Sequence, residues 1–100
     1  MNNLKNLTVI IVTYRTPKKI ITNCIKSINK NVKIIIIENS IKFEHEEFLS
    51  KKFSNIKIIC SGKNLGYGKG NNLGLKLTKT EYALVLNPDI ICEKKFFINL

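Results

Sequence analysis

Four short apolar runs, LTVIIVTY (7–14), VKIIIIE (32–38), NIKIIC (55–60) and EYALVLN (81–87), recur along the chain, and the stretches between them follow a different period. The first run is rich in β-branched residues and has no polar alternation, which is the pattern of a strand buried on both faces. Between the first and second runs, Ile20, Ile21, Cys24, Ile25 and Ile28 form one apolar stripe at helical spacing within TPKKIITNCIKSINKN (16–31), with Thr16 predicted as N-cap and Pro17 as first helical residue. Residues 41–54 carry a weaker signal, a short helix around 44–52 that turns Phe43, Phe48, Leu49 and Phe53 towards a core. A glycine-rich stretch opens a helix over about 68–79, and CEKKFFINL (92–100) reads as the start of another. Strands alternating with helices predict an α/β fold, a mainly parallel sheet with helices on both faces, and the alternation stops after the fourth strand.

One hundred residues suit a single small domain or part of a larger one. A chain of this length buries roughly 65% of its unfolded surface. The formal charge is +10, and every basic residue except Arg15 is a lysine. These lysines are spread along the chain with no dense block, so the expectation is general attraction to anions and no nucleic-acid partner. Cys24, Cys60 and Cys92 form no CxxC pair, which argues against a zinc site or a disulfide framework. Cys24 and Cys60 fall in apolar patterns as small core residues, a usage that fits a reducing compartment. The longest apolar runs are too short to cross a bilayer, and the first is followed by Thr13-Tyr14-Arg15 with no small-residue cleavage site. A cytoplasmic location is expected.

In an open parallel sheet, ligands bind beyond the carboxyl ends of the strands, where the strand order reverses. Here those ends carry Thr13-Tyr14-Arg15, Glu38-Asn39-Ser40, Ser61 to Asn64, and Asn87-Pro88-Asp89. Two carboxylates, Glu38 and Asp89, therefore share one edge with Arg15 and several amides. Taken alone, LVLNPDI (84–90) reads as a strand ended by a surface turn, because proline lacks a donor and restricts its predecessor. Every glycine lies in GKNLGYGKGNNLG (62–74), with Gly70 and Gly74 on one helical face. Each costs about 1 kcal/mol relative to alanine in a helix interior, so something approaches the backbone closely, either the sheet or a ligand. No register supplies Gly-x-x-x-x-Gly-Lys-Ser/Thr, and Gly-x-Gly-x-x-Gly fails at Gly66-Tyr67-Gly68. The block also follows the third strand, not the first, which argues against a dinucleotide fold. His45 reads as a lone surface histidine, and Glu44, Glu46 and Glu47 as a solvated face.

Four blocks in order, TVIIVTYRT (8–16), IIIIENS (34–40), NLGYGKGNNLGL (64–75) and LVLNPDI (84–90), resemble the N-terminal half of a family 2 glycosyltransferase, rhamnosyltransferase-like branch. The resemblance spans essentially the whole chain. It implies a Rossmann-like GT-A fold and transfer of a sugar from a nucleotide-sugar donor (UDP-, dTDP- or GDP-linked) to a glycan or lipid-linked acceptor, as in assembly of a cell-surface glycan precursor. The residues would serve as the donor-binding portion over 1–100, at the inner face of the membrane through peripheral association.

By the same resemblance, Thr13, Tyr14 and Arg15 would border the nucleoside, and Glu38, where the family usually has aspartate, would contact the base or ribose. Asn64, Gly66, Gly70 and Asn72 would line the nucleoside pocket. Asn87 and Asp89 occupy the two acidic positions of the DxD motif, and Asp89 alone keeps a carboxylate. Asp89 would then be the metal ligand, for magnesium or manganese bridging the donor phosphates. The family's catalytic base and acceptor pocket come from a second half that these residues do not include. The chain is thus expected to be a fragment, to work with a second chain, or to be a non-catalytic nucleotide-binding module or truncated relic.

Overall fold

The computed structural model describes residues 3–98. After a single 3-10 turn, Leu4–Asn6, the elements are β1 (Leu7–Thr13), α1 (Lys18–Ser27), β2 (Lys33–Glu38), α2 (Glu46–Lys52), β3 (Ile56–Cys60), α3 (Tyr67–Leu77), β4 (Tyr82–Leu86) and α4 (Lys94–Ile98). The four strands form one sheet in the order β3-β2-β1-β4, and all three pairings are parallel. The order reverses between β1 and β4. This is the predicted α/β architecture, with helices on both faces.

Strand period separates the two cores. Leu7, Val9 and Ile11 of β1 and Ile34 and Ile36 of β2 meet Ile21, Cys24 and Ile25 of α1, Leu49 of α2 and Phe97 of α4. On the opposite face, Val12, Ile35 and Ile37 meet Leu73 and Leu77 of α3. Every residue of β1 is buried, as its unbroken apolar run predicts. The glycines of α3 explain how closely that helix lies. A Cβ on Gly74 would stand 2.5 Å from Cγ2 of Ile10, and one on Gly70 would stand 2.9 Å from Cγ1 of Val12. Of the two neighbours the sequence left open, the one against these glycines is the sheet.

Several boundaries differ from the sequence reading. Pro17, not Thr16, is the N-cap of α1; its ψ of 143° keeps it outside the helix, and no side chain caps the first turn. The helix stops at Ser27 because Ile28 is extended, yet Ile28 is still buried. Ile20 leaves the predicted stripe and stays 41% exposed. Phe48 also stays out of the core, with the Lys18 ammonium 3.7 Å from its ring centroid. Cys24, Cys60 and Cys92 are free thiols, Cys24 in the core and the others packed partly against it. The predicted helix over 92–100 covers Lys94–Ile98; its last two positions lie outside the described residues. Among the described residues no helix is long and apolar enough to cross a membrane.

β4 is an edge strand whose α3-side surface is left uncovered: Ala83 is exposed, and Val85 is 38% exposed. Leu84 and Leu86, pointing the other way, pack against the first core.

Candidate functional site

The carboxyl ends of β3, β2 and β1 open into a groove of about 610 Å³, within the range of small-molecule sites. Tyr14, Arg15 and Thr16 line it from the end of β1. The β2 exit contributes Glu38 to His45, and the β3 exit contributes Gly62, Lys63 and Asn64. Arg15, Lys42 and Lys63 outnumber Glu44 and the buried Glu38 among the charged lining residues, so the groove favours an anionic ligand. Tyr14 presents a half-exposed ring, with the Arg15 guanidinium carbon 5.3 Å from its centroid.

The triplet Glu38-Asn39-Ser40 ties these loops together from beneath. Thr13 and Glu38 are register partners on neighbouring strands, and the Thr13 hydroxyl donates to Glu38 Oε1 at 2.6 Å. Glu38 Oε2 accepts the Arg15 backbone N–H at 3.2 Å and lies 2.5 Å from the Ser40 hydroxyl. Asn39 is buried and works in the other direction. Its Nδ2 donates to the Gly66 carbonyl at 2.9 Å, and its Oδ1 accepts from the Ser61 hydroxyl at 3.0 Å. Gly66, the residue before α3, has φ 86°, a conformation glycine adopts without steric cost. Its N–H is held by the Asn64 side chain at 3.0 Å.

The fourth strand end lies one strand beyond β1, a lateral step of about 5 Å. Ile90 N–H closes a turn onto the Asn87 carbonyl at 3.1 Å, so Asn87-Pro88-Asp89-Ile90 is a β-turn with proline at its second position. Asn87 and Asp89 are both exposed at its tip, and Asn87 Oδ1 accepts from the Tyr67 hydroxyl at 2.7 Å. The turn rests on α1: Cys92 N–H donates to Ser27 Oγ at 2.9 Å, and the Cys24 thiol approaches the Asn87 carbonyl at 3.9 Å. Burial pushes the Cys24 thiol up to about 12, with further contributions from Cys92 and Asp89.

The predicted site residues divide accordingly. Tyr14, Arg15, Glu38 and Asn64 come together in the groove, and Thr13 sits buried below it. Gly66 shapes the neighbouring loop. Gly70 faces Val12 and Asn39, so it packs the helix and does not line the groove. Asn72 also stays outside it: two residues past Gly70, or about 200° round the helix, it points to solvent. Its neighbour Asn71 is the buried amide, with Oδ1 lacking a protein partner. Residues 41–45 were missed as groove residues, since no motif marks them. His45 lines the groove half-buried, edge-on to Phe43 at 5.4 Å, and Glu44 stands on the rim. Glu46 and Glu47 are solvated, as expected.

Among the described residues, no three His, Cys, Asp or Glu side chains gather into a metal-binding group. A lone exposed carboxylate such as Asp89 fits magnesium in its usual arrangement, in which substrate phosphates and waters supply most of the oxygens.

Comparison with known proteins places this geometry. Residues 8–100 match the model for glycosyl transferase family 2. The low-salt glycan biosynthesis hexosyltransferase Agl10 of Haloferax volcanii is 33% identical over 96 residues, covering 92% of this chain and 30% of that protein. A crystal structure of S. aureus TarS superposes with a TM-score of 0.77 at 22% identity, over 93% of this chain and 30% of that one. The fold is thus the Rossmann-like α/β arrangement of that GT-A neighbour, and the chain spans about a third of the length of either relative. The order of the four strand-end blocks, the parallel sheet and the family match agree: the chain belongs to glycosyl transferase family 2.

Proposed function

We propose that this chain forms the donor-binding part of a sugar-transferring enzyme of the rhamnosyltransferase-like branch. It would hold a UDP-, dTDP- or GDP-linked sugar for transfer to a glycan or lipid-linked acceptor. One observation carries the reading. A cationic groove at the ends of β1, β2 and β3 stands next to the Asn87–Asp89 turn of β4, across the reversal in strand order. A nucleoside seated between Tyr14, Arg15 and Asn64 would direct its diphosphate towards the β1–β4 side, where Asp89, itself outside the groove lining, follows the end of the neighbouring strand.

Each residue then has a task. The Tyr14 ring offers a stacking surface, and Arg15, Lys42 and Lys63 offer charge to the donor. Asp89 would hold the magnesium or manganese ion, and the β-turn with Pro88 fixes the backbone from which its carboxylate projects. When bound, the ion neutralises charge that develops on the leaving diphosphate. In transfer, the acceptor hydroxyl forms its bond to the anomeric carbon as the bond to the diphosphate breaks, and the hydroxyl proton passes to a base. That base and the acceptor site are assigned to polypeptide outside these residues, in keeping with the relatives' greater length and the uncovered apolar face of β4.

Calorimetric titration with UDP, dTDP and GDP, with and without manganese, tests the reading. Binding of at least one, strengthened by manganese, is expected. No binding to any of the three would sink the donor-site assignment.

A further inference from the structure

Glu38 has no exposed surface, although it lies at the floor of the groove. Its oxygens face inward and are engaged by protein donors: Thr13 Oγ1 on one, and the Arg15 N–H and the Ser40 hydroxyl on the other. Among the described residues, no Lys or Arg forms an ion pair with it. A side chain so enclosed has little left to offer a ligand.

Arg15 is what gives the enclosure a purpose. Its φ is 53°, the sole positive φ among the described non-glycine residues. Left-handed backbone is unfavourable for a residue with a Cβ and persists where surrounding contacts hold it. At this residue the backbone N–H donates to Glu38 Oε2 at 3.2 Å. This turn lies between β1 and α1, in the segment from which Tyr14, Arg15 and Thr16 line the groove. On the far side the Asn39 amide donates to the carbonyl of Gly66, where φ is also positive, but there glycine needs no such hold.

We propose that Glu38 is a positioning residue. It keeps Arg15 left-handed, and so fixes the Tyr14–Thr16 wall of the donor groove, without itself touching the nucleotide. This rests on the donor-site reading of that groove and replaces the direct base or ribose contact that resemblance implies for this position.

The test is Glu38→Gln in the full chain. It uses titration with UDP, dTDP and GDP, and the amide resonance of Arg15 in a nitrogen-15-labelled sample. A residue acting through the wall changes all donors alike. The expected result is a common loss of about tenfold in affinity for every nucleotide that the wild-type chain binds, the factor attached to one charge-assisted hydrogen bond. An upfield move of the Arg15 amide accompanies it, as a carboxylate acceptor is exchanged for an amide. A loss confined to one base, or lost affinity with an unmoved Arg15 amide, means direct contact and overturns the proposal. If Glu38→Gln does not fold, Ser40→Ala tests the same link in the opposite direction. With the Ser40 hydroxyl removed, Oε2 is left to the Arg15 N–H, so the Arg15 amide moves downfield and all nucleotide affinities change together. An unmoved amide, or a change confined to one base, overturns the proposal. Wild-type protein that binds none of the three nucleotides fails at the donor-site reading, a result distinct from a base-selective loss in the variant. The role of Glu38 in binding falls with it.

Discussion

Gly74→Ala sets helix propensity against packing, and the structure says which wins. An added methyl would stand 2.5 Å from Ile10 Cγ2, whereas carbon atoms rest at about 3.5–4.0 Å. The shortfall is therefore about 1 Å or more. Ile10 cannot supply it: the side chain is β-branched, fully buried, and mounted on the β1 backbone between β2 and β4. Helix α3 must move off the sheet instead, opening gaps around Leu73 and Leu77. Overpacking of this kind costs about 1–3 kcal/mol, against a gain of about 1 kcal/mol from replacing glycine in a helix. The net expectation is a loss of up to about 2 kcal/mol, or a fall in melting temperature of up to roughly 15 °C for a domain of this size. Gly68→Ala is the control. It lies on the same helix, and a methyl added there would meet nothing within 4 Å, so propensity alone should raise stability by up to about 1 kcal/mol. Urea denaturation of both variants decides the matter. If Gly74→Ala is as stable as Gly68→Ala, the close approach of α3 to β1 is refuted, and with it the reason for glycine at that position.

Asp89→Ala should abolish the manganese-dependent part of nucleotide binding while changing stability by no more than about 0.5 kcal/mol, since the side chain is exposed; unchanged manganese dependence returns Asp89 to a plain turn residue. The Cys24 thiol is held protonated in the folded state, up to about 12 against an ordinary 9.0, so its contribution is complete below pH 9 and is lost as pH rises towards 12. Cys24→Ala should therefore show a flatter fall of denaturation midpoint across that window than wild type; parallel curves would discount the effect. Asn39→Ala removes two part-buried side-chain hydrogen bonds, to Gly66 and from Ser61, and should cost about 1–3 kcal/mol by urea denaturation.

The sheet was legible because each of its strands is built on a short apolar run, broken within β3 by Lys57, and each crossover has its own helical signal. Strand order was not, since the residues of β4 would suit a place beside β3 as well as beside β1. Helix ends were less legible for local reasons. Thr16 carries the hydroxyl of an N-cap, but Pro17 is extended and takes the cap position without one. Ile20 and Phe48 fit an apolar period, yet Ile20 falls at the edge of the buried stripe and Phe48 is met by a lysine from α1. Period fixes which face a residue is on, not how far the opposing layer reaches.

The site divides along the same line. Residues at strand ends, Tyr14, Arg15, Glu38 and Asn64, were placed at the groove because a parallel sheet delivers them all to one edge. Residues on α3 were not, because a helix sends Gly70 and Asn72 to opposite sides, and only the sheet-facing side was constrained. Glu38 shows the deeper limit. A polar residue at the end of a buried strand satisfies two demands equally well in sequence: a ligand needs an acceptor there, and so do the loops that surround the ligand. Three protein donors on its two oxygens are the ground for the proposed positioning role, because a buried carboxylate satisfied by its own fold can shape the groove through those loops, and the Glu38→Gln titration separates the two.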